Sequence, residues 1–335
     1  MTQDYDFLFA KSKLPKDTID LGIGESHLLR EAVLNAYDLK HISFNSPNIF
    51  EYAPPYGYDP LVEMLESIYG GKIIITTGAK NALSGAFYAM KKDNREGIYY
   101  TTPYWSSIPS LISREGLNRS ILRSDAGCVL TVAPNNPSGE FDLTTNIEQL
   151  PIIHDAAYYT HSYLPKEIEL KKFGDIQIFS VAKMYGLSGL RLGIIRVNNE
   201  KYYDSLVKFV EATTAGVSTA SQNILMKIVE LEEGNPSIRE DYEEYIHTAI
   251  TNNRKYVISN LDPDYFAIDN TYQENIGMFA WIKSKIKDFS SAGVNVMPGD
   301  CFGDPNFFRM NLSVSLDKII KAVNKMNKYA KEMNK

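Results

Sequence analysis

The chain is poor in cysteine, in long apolar stretches and in clusters of positive charge. Its two cysteines, Cys128 and Cys301, lie far apart without metal-ligand spacing, so we expect neither a disulfide framework nor a structural zinc site. No uninterrupted apolar segment approaches the length of a membrane span. The net charge of -6 and the lack of Lys or Arg runs argue against a nucleic-acid surface. We therefore expect a protein that binds neither membranes nor nucleic acids.

Length and composition indicate an ordinary globular protein. The 335 residues exceed what one small core usually organises, which predicts two domains or one large domain with a satellite. Hydrophobic residues make up 44% of the chain and charged residues 23%, both typical values. The start, residues 1–6, lacks the basic region and apolar core of a secretion signal, so a cytoplasmic location is the default expectation.

Apolar, β-rich segments alternate with helical patterns between residues 72 and 197. Continuous apolar strands separated by helices imply a mostly parallel sheet covered on both faces, with ligands at the carboxyl ends of the strands. The strand candidates are 72–76, 97–101, 129–133, 151–155, 176–180 and 192–197. The pattern then becomes strongly helical after Ser221. A smaller α+β unit follows, with strands near 277–282 and 308–312 and a closing helix over 316–333.

One loop places a lysine and an arginine among small residues. The mostly apolar run 176–179 ends at Ser180, so Lys183 leaves a predicted buried strand, where burial would make its amine nucleophilic toward an aldehyde cofactor. Arg191, eight residues later, offers a bidentate fork to phosphate, and the glycines of the loop permit tight turns. The alternative interpretation is a surface lysine on a glycine-rich loop.

Two glycine-containing segments are candidate phosphate sites. One strand candidate ends at Gly78 where a helix begins, so backbone N–H groups and the helix dipole can bind an anion, and Lys80 adds charge. An ordinary strand-to-helix turn is the alternative there. The segment 22–27 resembles half of a dinucleotide fingerprint, but the third glycine is missing and no good strand precedes it. We therefore discount a nicotinamide cofactor.

Polar side chains also follow two neighbouring strand candidates. Asn136 lies in the turn after the strand at 129–133, whereas Asp155 ends the next strand and Tyr158 follows it. An amide, a carboxylate and a phenol at adjacent strand ends could converge on one aromatic ligand. Taken singly, they would be read as a turn residue, a helix cap and a core tyrosine.

In this order the segments resemble the fold type I family of pyridoxal-phosphate enzymes, and within it the class I/II aminotransferases, across nearly the entire chain. The resemblance implies an α/β fold of the aspartate-aminotransferase type, with a mostly parallel sheet flanked by helices. It also implies a large cofactor-binding domain over residues 40–240 and a smaller α+β domain formed by residues 1–39 and 241–335.

The resemblance implies pyridoxal 5'-phosphate as the cofactor, held by Lys183 as the Schiff-base lysine. Asp155 would face the pyridine nitrogen and keep it protonated, because an adjacent anion favours the charged form. Asn136 and Tyr158 would hydrogen-bond the phenolic oxygen. The residues implied at the cofactor phosphate are Ser180, Arg191, Gly78, Ala79 and Lys80. Lys80 departs from the family pattern, in which a small hydroxyl residue is common at this position.

The same resemblance assigns residues to the cofactor ring face, the substrate and a second subunit. Trp105 would stack on the pyridine ring. Tyr52 would reach the cofactor phosphate of a neighbouring subunit, which implies a homodimer with shared active sites. Arg309 would hold the substrate's α-carboxylate, a task suited to a planar bidentate donor, with Gly24 and Asn136 also at the substrate. The implied partners are therefore a small amino acid and a 2-oxo acid.

The implied activity is transamination, in which the freed Lys183 amine moves the proton on the substrate's α-carbon. Because the same charged residues serve lyases and decarboxylases on this fold, the alternative is a carbon–sulfur lyase or a decarboxylase. The segments 155–159 and 216–218 also resemble the alliinase-related branch. A binding protein that keeps the fold without turnover is an alternative of another class, although Lys183 and Asp155, whose loss would mark it, are both present.

Overall fold

The computed structural model describes residues 13–39, 47–143, 150–268 and 276–333. The strands are β1 Ile19–Asp20, β2 Lys72–Thr76, β3 Gly97–Tyr99, β4 Asn118–Ser120, β5 Cys128–Val132, β6 Ile152–Asp155, β7 Ile176–Ser180, β8 Gly193–Val197, β9 Phe266–Ile268, β10 Phe279–Ser284, β11 Val294–Asn295, β12 Met297–Pro298 and β13 Phe307–Asn311. The α-helices are α1 His27–Ala36, α2 Asp59–Tyr69, α3 Ala79–Lys92, α4 Ile108–Arg114, α5 Val181–Met184, α6 Tyr203–Thr214, α7 Thr219–Gly234, α8 Ser237–Asn260 and α9 Leu316–Met333.

The large sheet has seven strands in the order β2-β8-β7-β6-β5-β3-β4. β8 runs antiparallel to both of its neighbours, and the other strand pairs are parallel. The predicted α/β fold with a mostly parallel sheet is therefore confirmed. Because β5, β6 and β7 are parallel neighbours, their carboxyl ends meet at one edge, with Asp155 paired to Val132 on one side and to Ile178 on the other.

Helices cover the large sheet on both faces, as its buried strands require. Successive residues of β2 point to opposite faces: Ile74 joins a core with Leu83 and Phe87 of α3, whereas Ile73 joins a second core. That second core extends through Leu225 of α7 to the smaller sheet. A strand that is buried on both faces has no side that contacts solvent. For this reason residues 73–75 of β2 are all apolar.

The smaller sheet is antiparallel, with the strand order β12-β13-β10-β9. Helix α8 locks it through two buried polar side chains, because Asn253 Nδ2 donates to the carbonyls of Leu312 and Val314, both at 2.8 Å. The Arg254 guanidinium donates to the carbonyl of Phe279 at 2.9 Å. These bonds satisfy backbone groups at strand ends that would otherwise be buried without partners.

Some short strands depart from the expectation. Although no good strand was expected before Gly22, β1 precedes it as a two-residue strand that pairs in parallel with β11. So short a segment carries no periodicity for a sequence pattern to show. Of the predicted domain limits, residue 240 lies in the first turn of α8, and residue 40 lies outside the described residues. The division into 40–240, 1–39 and 241–335 stays a prediction.

Two absences hold for the described part of the chain. No helix there combines the length and the apolar character that a membrane crossing requires. Nor does any group of three or more His, Cys, Asp or Glu side chains in those ranges have an arrangement that could bind a metal ion.

Candidate active site

Lys183 lies at the carboxyl edge of the large sheet. β7 ends at Ser180, and the short helix α5 that begins directly after it carries Lys183. The Lys183 amine donates a hydrogen bond to the carbonyl of Gly24, which belongs to the loop before α1. Its nitrogen is also 5.8 Å from the centroid of the Tyr158 ring. Three segments that are distant in sequence therefore converge on this amine.

The surroundings of Lys183 favour its neutral form. Burial is the main reason that the pKa of the amine falls to about 8, and the positive charges of Arg309 and Arg191 lower it further. Glu25 opposes this shift. Since an ordinary lysine titrates near pH ~10.4, far more of this amine is unprotonated at neutral pH, and only the unprotonated amine can act as a nucleophile or base.

Gly78 and Arg191 form a positively charged cup where β2 passes into α3. Gly78 is the N-cap of α3 with φ +82°, and a Cβ there would lie 3.0 Å from Arg191 Nη2. A Cβ on Gly193 would lie 2.6 Å from the backbone nitrogen of Ala79. Ser180 pairs with Gly193 across β7 and β8, so it adjoins the same cup. The positive φ at Gly78 and the close backbone approach at Gly193 thus require glycine at both positions.

A carboxylate, a phenol and an amide lie at the ends of β5 and β6. Asp155 is buried, and its Oδ1 accepts a hydrogen bond from the Ala157 N–H at 3.1 Å. Burial raises the pKa of Asp155 to about 6. Tyr158 is buried against Phe279, with ring centroids 5.6 Å apart, and burial raises the pKa of its hydroxyl. Asn136 is likewise buried.

Arg309 brings the smaller sheet into the site. It lies on β13 with only 2% of its surface exposed, and burial lowers its pKa to about 10. Its Nη1 donates to Asn136 Oδ1 at 2.7 Å, and its Nη2 donates to the Gly22 carbonyl at 2.6 Å. The rings of Phe279 and Phe302 lie near the guanidinium carbon, with centroids at 4.1 Å and 4.8 Å. These contacts hold the guanidinium in one orientation.

The structure brings most of the predicted site residues together. A Cβ on Gly24 would lie 3.6 Å from both Lys183 Nζ and Tyr158 Oη. The converging set is Gly24, Gly78, Ala79, Asn136, Asp155, Tyr158, Ser180, Lys183, Arg191 and Arg309.

Three other predicted residues lie at exposed or half-buried positions. The side chain of Lys80 is exposed in the first turn of α3. Trp105 is half-buried and packs against the core beneath α3. Tyr52 is 93% exposed. Their predicted roles toward the cofactor stay predictions.

Comparison with known proteins places this arrangement in a family. The family model for allinase (Alliinase_C) matches residues 122–327, well over half of the chain. The chain belongs to the allinase family. The predicted membership of the fold type I pyridoxal-phosphate, aminotransferase-like family is confirmed by this match together with the similarity to aspartate aminotransferases.

Solved structures and curated relatives agree with this membership. An aromatic aminotransferase from Pyrococcus horikoshii OT3 has a TM-score of 0.75 and 19% identity, over 98% of this chain and 99% of that one, which shows a shared fold. Tryptophan aminotransferase-related protein 2 of Oryza sativa subsp. japonica is 31% identical over 49% of this chain and 35% of that protein. The match thus spans about a third of that relative's length. Alliin lyase of Allium cepa var. aggregatum is 32% identical over 30% of this chain and 22% of its own length.

Sequence reasoning missed several residues that shape the site of this allinase-family protein. The rings of Phe279 and Phe302 lie against Arg309, but the sequence pattern places Phe279 only in a strand and does not single out Phe302. Glu25 was not singled out, although its Oε1 accepts a hydrogen bond from Ser188 Oγ at 3.3 Å, within the loop between Lys183 and Arg191. The pairing of β10 with β13, which brings Phe279 to Arg309, carries no local sequence signal.

The raised pKa of Asp155 predicts a pH-dependent stability difference in the cofactor-free protein. A carboxyl whose folded pKa exceeds its unfolded value of ~3.9 stabilises the fold only at low pH, and this contribution is lost as pH rises through about 6. Asp155→Asn removes the titrating carboxyl. The free energy of unfolding of this variant, relative to wild type, should therefore increase by about 2 kcal/mol as pH rises from 4.5 to 7.5. Urea unfolding at both pH values measures this difference. A difference that does not change with pH would contradict the burial argument.

Proposed function

We propose that this protein is a pyridoxal-phosphate-dependent aminotransferase that moves an amino group from an L-amino acid to a 2-oxo acid. The observation that carries the proposal is the convergence of Lys183, Asp155 and Arg309 around Tyr158. These residues combine an amine of lowered pKa, a buried carboxylate and a buried guanidinium. Such a set suits a cationic ring and a carboxylate substrate held side by side.

The cup at Gly78 fits the phosphate of this cofactor. The N-terminus of α3 carries a partial positive charge, and Arg191 adds a full one beside it. Within the described ranges neither Arg191 nor Lys80 forms an ion pair. An anion bound between the N-terminus of α3 and Arg191 would offset the repulsion between these two positive charges. Backbone N–H groups and a guanidinium also match the geometry of a phosphate group. Gly78, Ala79, Ser180 and Arg191 would therefore hold the phosphate.

The side chains at the ends of β5 and β6 fit the ring. Asp155 is buried, and no basic side chain in the described part of the chain pairs with it; it would hold the protonated ring nitrogen, and that cation would return its carboxylate to the charged form. Tyr158 and Asn136 would hydrogen-bond the ring oxygen, and Trp105 would cover one ring face. Bound there, pyridoxal phosphate would supply an aldehyde for the substrate's amine and an electron-withdrawing ring next to its α-carbon.

The residues of the chain would supply the rest of the chemistry. Lys183 Nζ, with its lowered pKa, would take up and return the proton at the substrate's α-carbon. The Gly24 carbonyl, its hydrogen-bond acceptor, would orient the free amine. Burial of Tyr158 and Phe279 beside the amine would limit water around the reacting atoms.

Arg309→Gln should weaken binding of carboxylate substrates. A buried guanidinium packed against two rings can form a bidentate pair with a carboxylate, which a neutral amide cannot replace. We expect KM for an amino acid to rise about 100-fold, with a smaller change in kcat. Steady-state kinetics measures both. The control substrate is an amine with the same side chain but without the carboxylate, which should react equally slowly with wild type and with Arg309→Gln. If Arg309→Gln selectively lost the reaction with this amine, the role of Arg309 in binding the carboxylate would be refuted.

A lyase is the second candidate function. The observation that favours it is the allinase family membership, together with the partial identity to an alliin lyase. The two activities differ in their products. Loaded protein given a pool of amino acids without an oxo-acid acceptor should release stoichiometric 2-oxo acid and stop, with the aldehyde form of the cofactor consumed. Continuous release of ammonia, thiol or carbon dioxide would replace the aminotransferase proposal with a lyase or a decarboxylase.

We further propose a homodimer in which Tyr52 reaches the partner's cofactor phosphate. Tyr52 is 93% exposed and Phe50 is 89% exposed, and two neighbouring aromatic side chains rarely face solvent in a monomer. A C2 interface would bury the same patch on both copies. Sedimentation of the loaded protein tests this proposal, which a fully active monomer would contradict.

A further inference from the structure

A carboxylate remote from the proposed chemistry joins four side chains. Glu232 lies near the end of α7 with its side chain 11% exposed. Its Oε1 accepts hydrogen bonds from Tyr37 Oη at 2.7 Å and Tyr242 Oη at 3.3 Å. Its Oε2 accepts from Tyr185 Oη at 3.1 Å and Arg239 Nη1 at 3.5 Å. One carboxylate thus connects α1, α5, α7 and α8.

Tyr185 connects this carboxylate to the lysine. It caps α5 two residues after Lys183, and it is 2% exposed. The next residue, Gly186, has φ +68°, and a Cβ there would lie 2.5 Å from the backbone nitrogen of Arg30 in α1. The chain leaving Lys183 is therefore pressed against the first turn of α1.

The loop that leads into helix α1 also contacts the Lys183 amine. The Gly24 carbonyl that accepts from the Lys183 amine lies two residues before Ser26, the N-cap of α1. Tyr37, which shares Glu232 with Tyr185, is the C-cap of the same helix. The position of α1 relative to α5 therefore sets where the amine meets its acceptor.

We propose that Glu232, acting through Tyr185 and Tyr37, is a positioning residue that fixes the Lys183 amine against the Gly24 carbonyl. The inference rests on the proposed role of Lys183. A single anionic acceptor shared by two buried hydroxyls ties their helices together, because releasing either hydroxyl would leave a buried polar group without its partner. Arg239 balances the charge and also donates to Glu243 Oε1 at 3.3 Å.

The readout is the pKa of Lys183, since small movements of the amine change its environment. The charged groups that face it are Arg309 from β13, Arg191 from the loop after α5, and Glu25 from the loop before α1, beside the Tyr158 hydroxyl. Desolvation contributes most to the present shift. A looser amine would be better hydrated, so its pKa would rise toward the ordinary lysine value.

The experiment compares Tyr185→Phe with a matched control, Tyr202→Phe. Tyr202 is also buried, at 3% exposure, and donates to a carboxylate, Asp93 Oδ2 at 3.2 Å, outside this network. The pKa of Lys183 is obtained in the full chain from the pH dependence of its acylation rate, read by peptide mass spectrometry. Tyr185→Phe should raise this pKa by about one unit and, in the loaded enzyme, lower kcat about tenfold with KM within about twofold. Tyr202→Phe should change neither.

Two further results decide the inference. Tyr37→Phe, which removes the α1 hydroxyl, should raise the pKa of Lys183 in the same direction, and it also serves if Tyr185→Phe does not fold. An unchanged pKa in both variants, or an equal change in Tyr202→Phe, would overturn the positioning role. Acylation needs no turnover, so an inactive wild type would contradict the proposed function while this test still stands.

Discussion

Lys183→Ala should reduce turnover by about 10³-fold or more, the scale of losing a base together with covalent attachment. The variant keeps the cup formed by Gly78 and Arg191, so it should still bind the cofactor, but noncovalently. Wild type should retain the cofactor through dialysis, whereas the variant should lose it. Steady-state rates and the visible absorbance of the dialysed proteins measure both effects.

The matched control is a lysine that faces solvent. Lys227 has 60% of its side chain exposed and pairs with Glu230 at 3.2 Å on the surface of α7. Lys227→Ala should leave both turnover and cofactor retention unchanged, because exposed ion pairs contribute little. Substantial turnover by Lys183→Ala, or equal losses in the two variants, would remove Lys183 from the mechanism.

Asp155→Asn should lower kcat about 10³-fold while the cofactor still binds. An amide leaves the buried ring nitrogen without the negative charge that favours its protonated form, so the ring would withdraw electrons less strongly. Because asparagine is nearly isosteric with aspartate, the hydrogen bond from the Ala157 N–H can persist and the loop should keep its geometry. Stopped-flow measurement of the first half-reaction isolates the affected step.

Asp175→Asn provides the comparison. Asp175 lies just before β7, at the opposite edge of the same sheet, where it accepts from the Ile152 N–H and from Asn199 Nδ2, both at 2.8 Å. That variant should lose stability without a specific loss of kcat. If Asp155→Asn kept wild-type kcat, the proposed contact between Asp155 and the ring nitrogen would be wrong.

The sequence predicts the large sheet well because its strands are buried on both faces. The segment 176–180 is mostly apolar up to Ser180, and the structure has β7 over the same residues. Parallel order then brings strand ends together, which is why the sequence alone groups Asp155, Ser180 and Lys183. Short strands such as β1 and β11 depend on long-range pairing, so their sequences carry no comparable signal.

The contacts that orient the proposed groups are harder to predict. Glu232 and Tyr185 lie 47 positions apart, and nothing in α7 distinguishes Glu232 from its solvent-facing neighbours. Likewise, the approach of Phe279 to Arg309 depends on the register between β10 and β13. The sequence identifies the residue types that the proposed chemistry needs. The contacts that orient those residues depend on tertiary packing.

Borohydride reduction of the cofactor-loaded protein, followed by peptide mass mapping, tests whether Lys183 forms the covalent bond to the cofactor. Reduction would make the bond between the cofactor and its lysine permanent. We expect one pyridoxyl-phosphate addition per chain, on the peptide that contains Lys183. No addition, or an addition on another lysine such as Lys80, would contradict it.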